Sequence, residues 1–248
     1  MISSNISRPV SEAIKTLKSN IMFSSVDNPI RTMILTSTNA GEGKSTLTAL
    51  LGMSMAESGK RTLIIDTDLR RPSLGNTIGK RNKKGLCNVL LEEVSPEEAI
   101  VTTECKNLYF LDAGTIPPNP VEMIGSKRFG CFMDTVKKQY DLVIYDMSPV
   151  GLFIEPALVA TRTDGVVLVI AQGETDKKAA KEAKEQLERA HAKILGVVLN
   201  KVARTKSNGH YGNYSYYNDY YYDDTNRARN KKSKIKKRRK NLFVEKVE

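Results

Sequence analysis

Thr36-Ser37-Thr38-Asn39-Ala40-Gly41-Glu42-Gly43-Lys44-Ser45-Thr46 decides how this chain is read. A short apolar run, Met33-Ile34-Leu35, stands before it, and a helix-like run, Leu47 to Met53, follows. Strand, glycine-bearing loop and helix in that order is the context in which Gly-Lys-Ser-Thr holds a phosphate. Gly41 and Gly43 let backbone N–H groups turn inward without a Cβ in the way. The helix beginning near Lys44 adds unpaired N–H groups and the positive end of its dipole. The expected nucleotide contacts are Asn39, Ala40, Gly41, Glu42, Gly43, Lys44, Ser45 and Thr46. Lys44 is expected to reach the β- and γ-phosphates of ATP, and the Ser45 hydroxyl to bind Mg²⁺. Thr38 stands six residues before Lys44, where such loops usually carry their first glycine.

The rest of the chain fits an α/β protein. Its 248 residues, 40% of them hydrophobic, are enough for a substantial core. No apolar run approaches the roughly 20 residues that cross a bilayer, and Met1-Ile2-Ser3-Ser4-Asn5 does not look like the start of a secretory signal. Cys87, Cys105 and Cys131 are well separated and form no C-x-x-C pair, which argues against a disulfide framework or a zinc site. The formal charge of +11 would point to nucleic acid if it were spread over the fold. It is not: Thr225 to Glu248 hold 11 of the 39 basic and 2 of the 28 acidic residues, leaving 28 and 26 for residues 1–224. The basicity belongs to a tail, and no specific nucleic-acid partner is expected.

Taken in order, residues 8–24 read as an amphipathic helix with Ile14, Leu17, Ile21 and Met22 on one face and Ser11 as its cap. Glu12, Lys15 and Lys18 form a charged stripe beside that face, either solvated or an oligomer interface. Ser58-Gly59-Lys60 stops the helix after the phosphate loop. Arg61 to Ile65 is a buried strand ending in Asp66-Thr67-Asp68-Leu69-Arg70, and strand C-termini are where open α/β sheets keep their ligand chemistry. Side chains two apart on an extended strand point the same way, so Asp66 and Asp68 are expected to address one Mg²⁺–phosphate centre. Residues 85–91 suggest a short helix, 95–98 the capped start of another, 107–112 a strand, 116–123 a proline-rigid loop opening a helix, and 126–140 a further helix. Asp141 to Ile144 is a strand run leading through Tyr145 to Asp146, the form of a Walker B element whose carboxylate holds Mg²⁺. A strand over 165–170, a charged helix over 175–191 and a strand over 194–201 complete the series. Asn200, at the end of the last strand, has the donor and acceptor that a nucleotide base needs; a simple turn residue is the competing reading.

Residues 204–248 break the pattern. Tyr211, Tyr214, Tyr216, Tyr217, Tyr220, Tyr221 and Tyr222 are seven of the chain's ten tyrosines, set among Asn, Gly, Ser and Asp without apolar periodicity. The composition predicts a disordered C-terminal tail. The organisation expected is a P-loop domain over 1–203, a tyrosine cluster over 204–224 and a basic tail over 225–248.

Together these residues resemble the bacterial tyrosine kinases of capsular and exopolysaccharide assembly, deviant-Walker relatives of the ParA/Min ATPases. The resemblance covers about residues 8–222. It rests on the loop ending Gly43-Lys44-Ser45-Thr46, on Asp66-Thr67-Asp68-Leu69-Arg70, on Asp146-Met147-Ser148-Pro149, on Pro117-Pro118-Asn119-Pro120 and on the tyrosine cluster. It implies a P-loop NTPase-like, mostly parallel sheet flanked by helices, and a kinase that uses ATP and Mg²⁺ to phosphorylate the tyrosines of its own tail. It also implies Lys44, Asp66, Asp68 and Arg70 as catalytic, with Asp66 deprotonating the tyrosine, and Ser45, Asp68 and Asp146 as metal residues. A membrane-anchored activator of the polysaccharide co-polymerase type is a further implication, with a cytoplasmic location at the inner face of the plasma membrane. In the family the first helix carries Glu-x-x-Arg-x-x-Arg for ring assembly; here Glu12, Lys15 and Lys18 keep the charge and lose the guanidinium fork. Ala40, Ser148 and Glu155 also depart from the family, which often has Pro, Pro and Asp there. The basic tail is additional, and anionic lipid is one surface it could meet. Two rival readings are a ParA/Min-like ATPase switch, for which the tyrosine cluster has no use, and a non-catalytic scaffold, against which Lys44, Asp66, Asp68 and Asp146 argue. Lys44→Met is expected to abolish tail phosphorylation with the fold intact.

Overall fold

The strand-forming runs assemble into one seven-stranded sheet in a computed structural model that describes residues 6–24 and 28–203. The tyrosine cluster and the basic tail lie outside the described residues. In chain order the elements are α1 (Arg8–Phe23), β1 (Thr32–Ser37), α2 (Lys44–Glu57), β2 (Thr62–Asp66), α3 (Leu74–Ile78), α4 (Leu86–Leu90), α5 (Pro96–Ala99) and β3 (Val101–Thr102). They continue with β4 (Leu108–Leu111), α6 (Pro120–Gly125), α7 (Lys127–Gln139), β5 (Leu142–Asp146), α8 (Glu155–Ala160), β6 (Gly165–Ala171), α9 (Lys177–Arg189) and β7 (Ile194–Asn200). The strand order is β3-β4-β2-β5-β1-β6-β7, parallel throughout except for β3, which pairs antiparallel with β4.

Helices cover both faces, which is why the strands read as unbroken apolar runs. Neighbouring residues go to opposite sides. Ile34, Leu63, Ile65, Val143 and Tyr145 pack with α4, α7, α8 and α9, while Met33, Leu35, Ile64 and Ile144 pack with α1, α2 and α3. The order places the ends of β1, β2 and β5 side by side at the centre of the sheet, so the phosphate loop, Asp66 and Asp146 meet there.

α1 spans almost the expected 8–24, but its cap lies one turn earlier than expected. Ser7, not Ser11, is its N-cap residue, and Ser11 N–H already donates to Ser7 O at 3.1 Å. Pro9 sits in the first turn, where its missing N–H leaves no bond unmade. Ile14 and Ile21 are buried as expected, but Met22 is 45% exposed, one residue's rotation away from their seam. The charged stripe is also divided. Glu12 and Lys15 pair with each other at 2.9 Å in solvent, whereas Lys18 turns onto the neighbouring helix and donates to Ser54 O at 3.4 Å.

The far end of the sheet is held by Asp164, just before β6. Its Oδ2 accepts from Arg31 N (3.0 Å), Thr32 N (2.8 Å) and Thr32 Oγ1 (2.9 Å), and its Oδ1 accepts from Lys137 Nζ (2.9 Å). Burial alone would raise this carboxyl's pKa; Lys137 and the Arg31 and Thr32 donors outweigh it and hold the pKa below the usual value. A depressed folded-state pKa stabilises the protein above the ordinary carboxylate range, and that stabilisation is lost as acid titrates the folded carboxylate. Asp164→Ala is therefore expected to cost about 2–3 kcal/mol at pH 7, by the worth of charged hydrogen bonds. Urea unfolding checks it, and the gap from wild type must shrink in strong acid.

Candidate active site

The phosphate loop is shaped by contacts its own sequence does not announce. Gly43 sits at φ +93°, a left-handed conformation that glycine adopts without strain, and a Cβ there would lie 2.2 Å from Asn200 Nδ2. Asn200 Nδ2 donates to Glu42 O at 2.8 Å. In a planar trans peptide C=O and N–H point in opposite directions, so this bond turns the Gly43 N–H away from Asn200. Glu42 is 2% exposed, and its carboxylate accepts from Asn39 N at 3.0 Å and from Thr175 Oγ1. Thr175 Oγ1 in turn accepts from Ala171 N at the end of β6 (2.8 Å). Glu42 thus braces the loop. Ala40, Gly41, Gly43, Lys44, Ser45 and Thr46 line a cavity of about 530 Å³; Asn39 and Glu42 do not. Thr38 is buried, and its carbonyl lies where a side chain on Gly151 would be, 2.4 Å from that Cβ position.

Lys44 is the centre of the charge arrangement. Its Nζ lies 3.1 Å from Asp68 Oδ2 and 3.6 Å from Asp146 Oδ2, and it donates to Ser45 Oγ at 3.3 Å. Burial works against this ammonium, but Asp146 and Asp68 outweigh it and raise its pKa. Asp146 is fully buried. Its Oδ1 accepts from Thr48 Oγ1 at 3.3 Å, while its Oδ2 has no hydrogen-bond partner. Burial raises the Asp146 pKa, with Lys44 and the Ser45 hydroxyl opposing. Asp66 pairs in register with Asp146, and burial followed by the Asp146 charge lifts its pKa well above the carboxylate range.

The two carboxylates of β2 and its loop do not point the same way. β2 ends at Asp66, and the chain then turns, with Thr67 N–H donating to Asp146 O. Asp68 lines the cavity and accepts from Arg71 N at 3.0 Å; Asp66 does not line it. Asp66 Oδ2 accepts from Leu74 N at 2.9 Å, at the start of α3, and Oδ1 has a long 3.3 Å bond from Asp68 N. The extended-strand argument does not reach Asp68, because β2 ends at Asp66, two residues before it. Arg70 lies on the cavity wall, its Nε 2.7 Å from Glu155 Oε1 and its guanidinium 4.3 Å from the Phe153 ring centre.

Several contributors escaped the sequence reading. Ser73 Oγ lies 2.8 Å from Ser45 Oγ; a serine just before Leu74 was a legible helix-start signal. Thr175 lies after a buried strand, where α/β sites form, but nothing local ties it to Glu42. Glu155, noticed only as a departure, is the buried partner of Arg70.

The residues fit a magnesium-bound nucleotide. Asp146 Oδ2 is a buried carboxylate oxygen without a hydrogen-bond donor, beside the Ser45 hydroxyl, and Asp68 is within reach of the same lysine. Among the described residues no group of three or more His, Cys, Asp or Glu forms a metal cage. That suits magnesium, which usually takes one or two carboxylates together with phosphates and water.

Comparison with known proteins agrees with this geometry. Residues 30–194 match the AAA_31 family, an AAA domain. Tyrosine-protein kinase YwqD of Bacillus subtilis (strain 168) is 38% identical over 204 residues, which are 82% of this chain and 86% of that protein. The crystal structure of the chimerical protein CapA2B2 superposes with a TM-score of 0.78 at 36% identity, covering 82% of this chain and 89% of that one. The septum site-determining protein MinD of Pyrococcus horikoshii OT3, complexed with Mg-ADP, gives a TM-score of 0.61 at 25% identity over 71% and 72% of the two chains. By sequence and by fold alike, this chain belongs to the bacterial tyrosine-protein kinases of the P-loop class.

Proposed function

We propose that the protein transfers the γ-phosphoryl group of ATP to tyrosine hydroxyls, with Tyr211, Tyr214, Tyr216, Tyr217, Tyr220, Tyr221 and Tyr222 of a neighbouring copy as acceptors. The observation that carries this is the Lys44 ammonium between two buried carboxylates at the mouth of the phosphate loop. Lys44 and the loop amides hold the phosphates, and Asn200 contacts the base from beside Gly43. Ser45 and Asp146, with Asp68 close by, would hold magnesium, which when bound would supply neutralisation of phosphate charge. The phenolic oxygen bonds to the γ-phosphorus as the bond to the bridging oxygen breaks, ADP leaves, and the phenolic proton passes to Asp66. Asp66 suits that role because its raised pKa makes it a stronger base, and its Oδ1 is only loosely engaged. Arg70 supports the phosphate or the contact with a neighbour.

The wider setting follows the family. The protein regulates capsular or exopolysaccharide synthesis from the cytoplasmic face of the membrane, and a membrane-anchored activator of the co-polymerase type switches it on. Copies assemble into a ring through Glu12 and Lys15. Each phosphate adds about −1.5 to −2 charges to a tail, and crowding them drives copies apart.

The test is incubation of purified protein with Mg-ATP, with and without an activator peptide, followed by mass mapping of residues 204–224. Phosphate on the cluster is expected. Turnover should fall on the acid side of a limb that lies above the ordinary carboxylate range, where Asp66 takes up its proton. Release of inorganic phosphate with no phosphotyrosine would instead assign the protein to the MinD-like switches.

A further inference from the structure

Between Asp68 and Glu92 the chain carries six cations and no anion: Arg70, Arg71, Lys80, Arg81, Lys83 and Lys84. Arg70 is neutralised by Glu155. The other five make no ion pair among the described residues. Lys80 and Arg81 reach only neutral oxygens, Thr102 O and Asn76 Oδ1, and Lys83 and Lys84 are exposed. The nearby carboxylate of Asp112 is buried and occupied by the amides of Asn82 and Ala113, both at 2.8 Å.

The fold sets this charge beside the candidate active site. Arg71, Ser73 and Thr77 line the cavity, α3 leads away from it, and the 80–84 loop is pinned to Asp112 at the end of β4. β4 is the neighbour of β2, whose end carries Asp66. A cationic shelf thus runs from the cavity mouth outward along the top of the sheet. Five unpaired cations self-repel unless an anion is present.

We infer that this shelf docks the acidic tyrosine segment, residues 211–224, of a second copy and holds it while its tyrosines enter the cavity. This inference rests on the kinase reading above. The occupant is argued from charge: residues 211–224 contain Asp219, Asp223 and Asp224 and no Lys or Arg. The source is the neighbouring copy that the kinase reading above already names as acceptor.

Two measurements on the full-length protein test this. The first is binding of a labelled peptide of residues 208–224 by fluorescence anisotropy, which needs no turnover. The second is steady-state phosphorylation of that peptide. The Lys83→Ser/Lys84→Ser variant removes two side chains that have no partner in the fold. It should weaken peptide binding and raise the peptide KM about fivefold, with kcat unchanged, at the strength of exposed ion pairs. A peptide with Asp219, Asp223 and Asp224 replaced by Asn should lose as much on wild type and little more on the variant, since the same pairs are being removed. Equal binding and KM for variant and wild type would overturn the inference. So would Lys83- and Lys84-dependent binding to phosphatidylserine vesicles with the peptide KM unmoved, which would give the shelf to lipid. Anisotropy that behaves as expected without any phosphotyrosine would instead fault the kinase reading and leave the shelf standing.

Discussion

Lys44→Met is expected to lower phosphoryl transfer by about a thousandfold or more, as loss of a main electrostatic contact in a buried site does. The larger surprise should be in stability. The sequence suggests that the fold survives this change untouched, because phosphate-loop lysines act on ligands. Here Lys44 is also the buried counter-ion of Asp68 and Asp146, and Asp66 lies next to them. Removing one partner from a buried charge cluster costs about 3–5 kcal/mol. The sign of the pH effect follows. Asp66 and Asp146 ionise above the ordinary carboxylate range even with Lys44 present, and without it their pKa values rise further. A carboxyl whose folded pKa exceeds its unfolded value, about 4, destabilises the fold as pH climbs from there through the folded pKa. The variant should be weakest at alkaline pH and recover toward wild type near pH 5. Urea midpoints across that range are the measurement, and a pH-independent loss would show that the cluster does not carry the charge described.

Asp66→Asn should move activity and stability in opposite directions. Turnover should fall by about 10²–10⁴-fold if Asp66 takes the phenolic proton. The nucleotide-free protein should melt higher, by roughly 1 kcal/mol, in the range of favourable single substitutions at functional sites. Burial and the Asp146 charge both oppose ionised Asp66, and a neutral amide removes that opposition while its oxygen still accepts from Leu74 N. Calorimetry of the variant beside its kinetics separates the two effects. A lower melting temperature would mean that the Leu74 contact matters more than the repulsion; unchanged turnover would remove Asp66 from the chemistry. Asp68→Asn serves as the contrast, since Asp68 faces the cavity and pairs directly with Lys44.

Five of the six longer strands, β1, β2, β4, β5 and β6, were legible because they are buried on both faces and so appear as uninterrupted apolar runs; the edge strand β7 keeps an apolar run although it is only partly buried. The phosphate loop was legible because its function needs a fixed local spacing. What could not be read depends on contacts between distant residues. α3, α8 and the two-residue β3 are too short to carry a period, and their neighbours hold them in place. Glu155 lies 85 residues from Arg70, and Thr175 lies 133 from Glu42, so no local pattern connects either pair. The extended-strand reasoning for Asp66 and Asp68 was sound geometry applied past the strand's end, and the turn made by Thr67 separates the two roles. Ser11 is not the cap because the helix already runs through Pro9, which the first turn of a helix accepts readily.

Asp164 gives the molecule a division of labour that an engineer can use. At the phosphate end, the sheet keeps like charges together and leaves a carboxylate oxygen without a donor, so robustness there is traded for chemistry. At the opposite end, one carboxylate gathers four donors from the start of β1 and from α7, at no expense to the site. A hardier version of this enzyme should be sought by reinforcing the Asp164 end, with residues such as Arg31, Thr32 and Lys137 as its anchors. Substitutions that relieve the repulsion around Asp66, as Asp66→Asn does, would raise the melting point of a protein that no longer works.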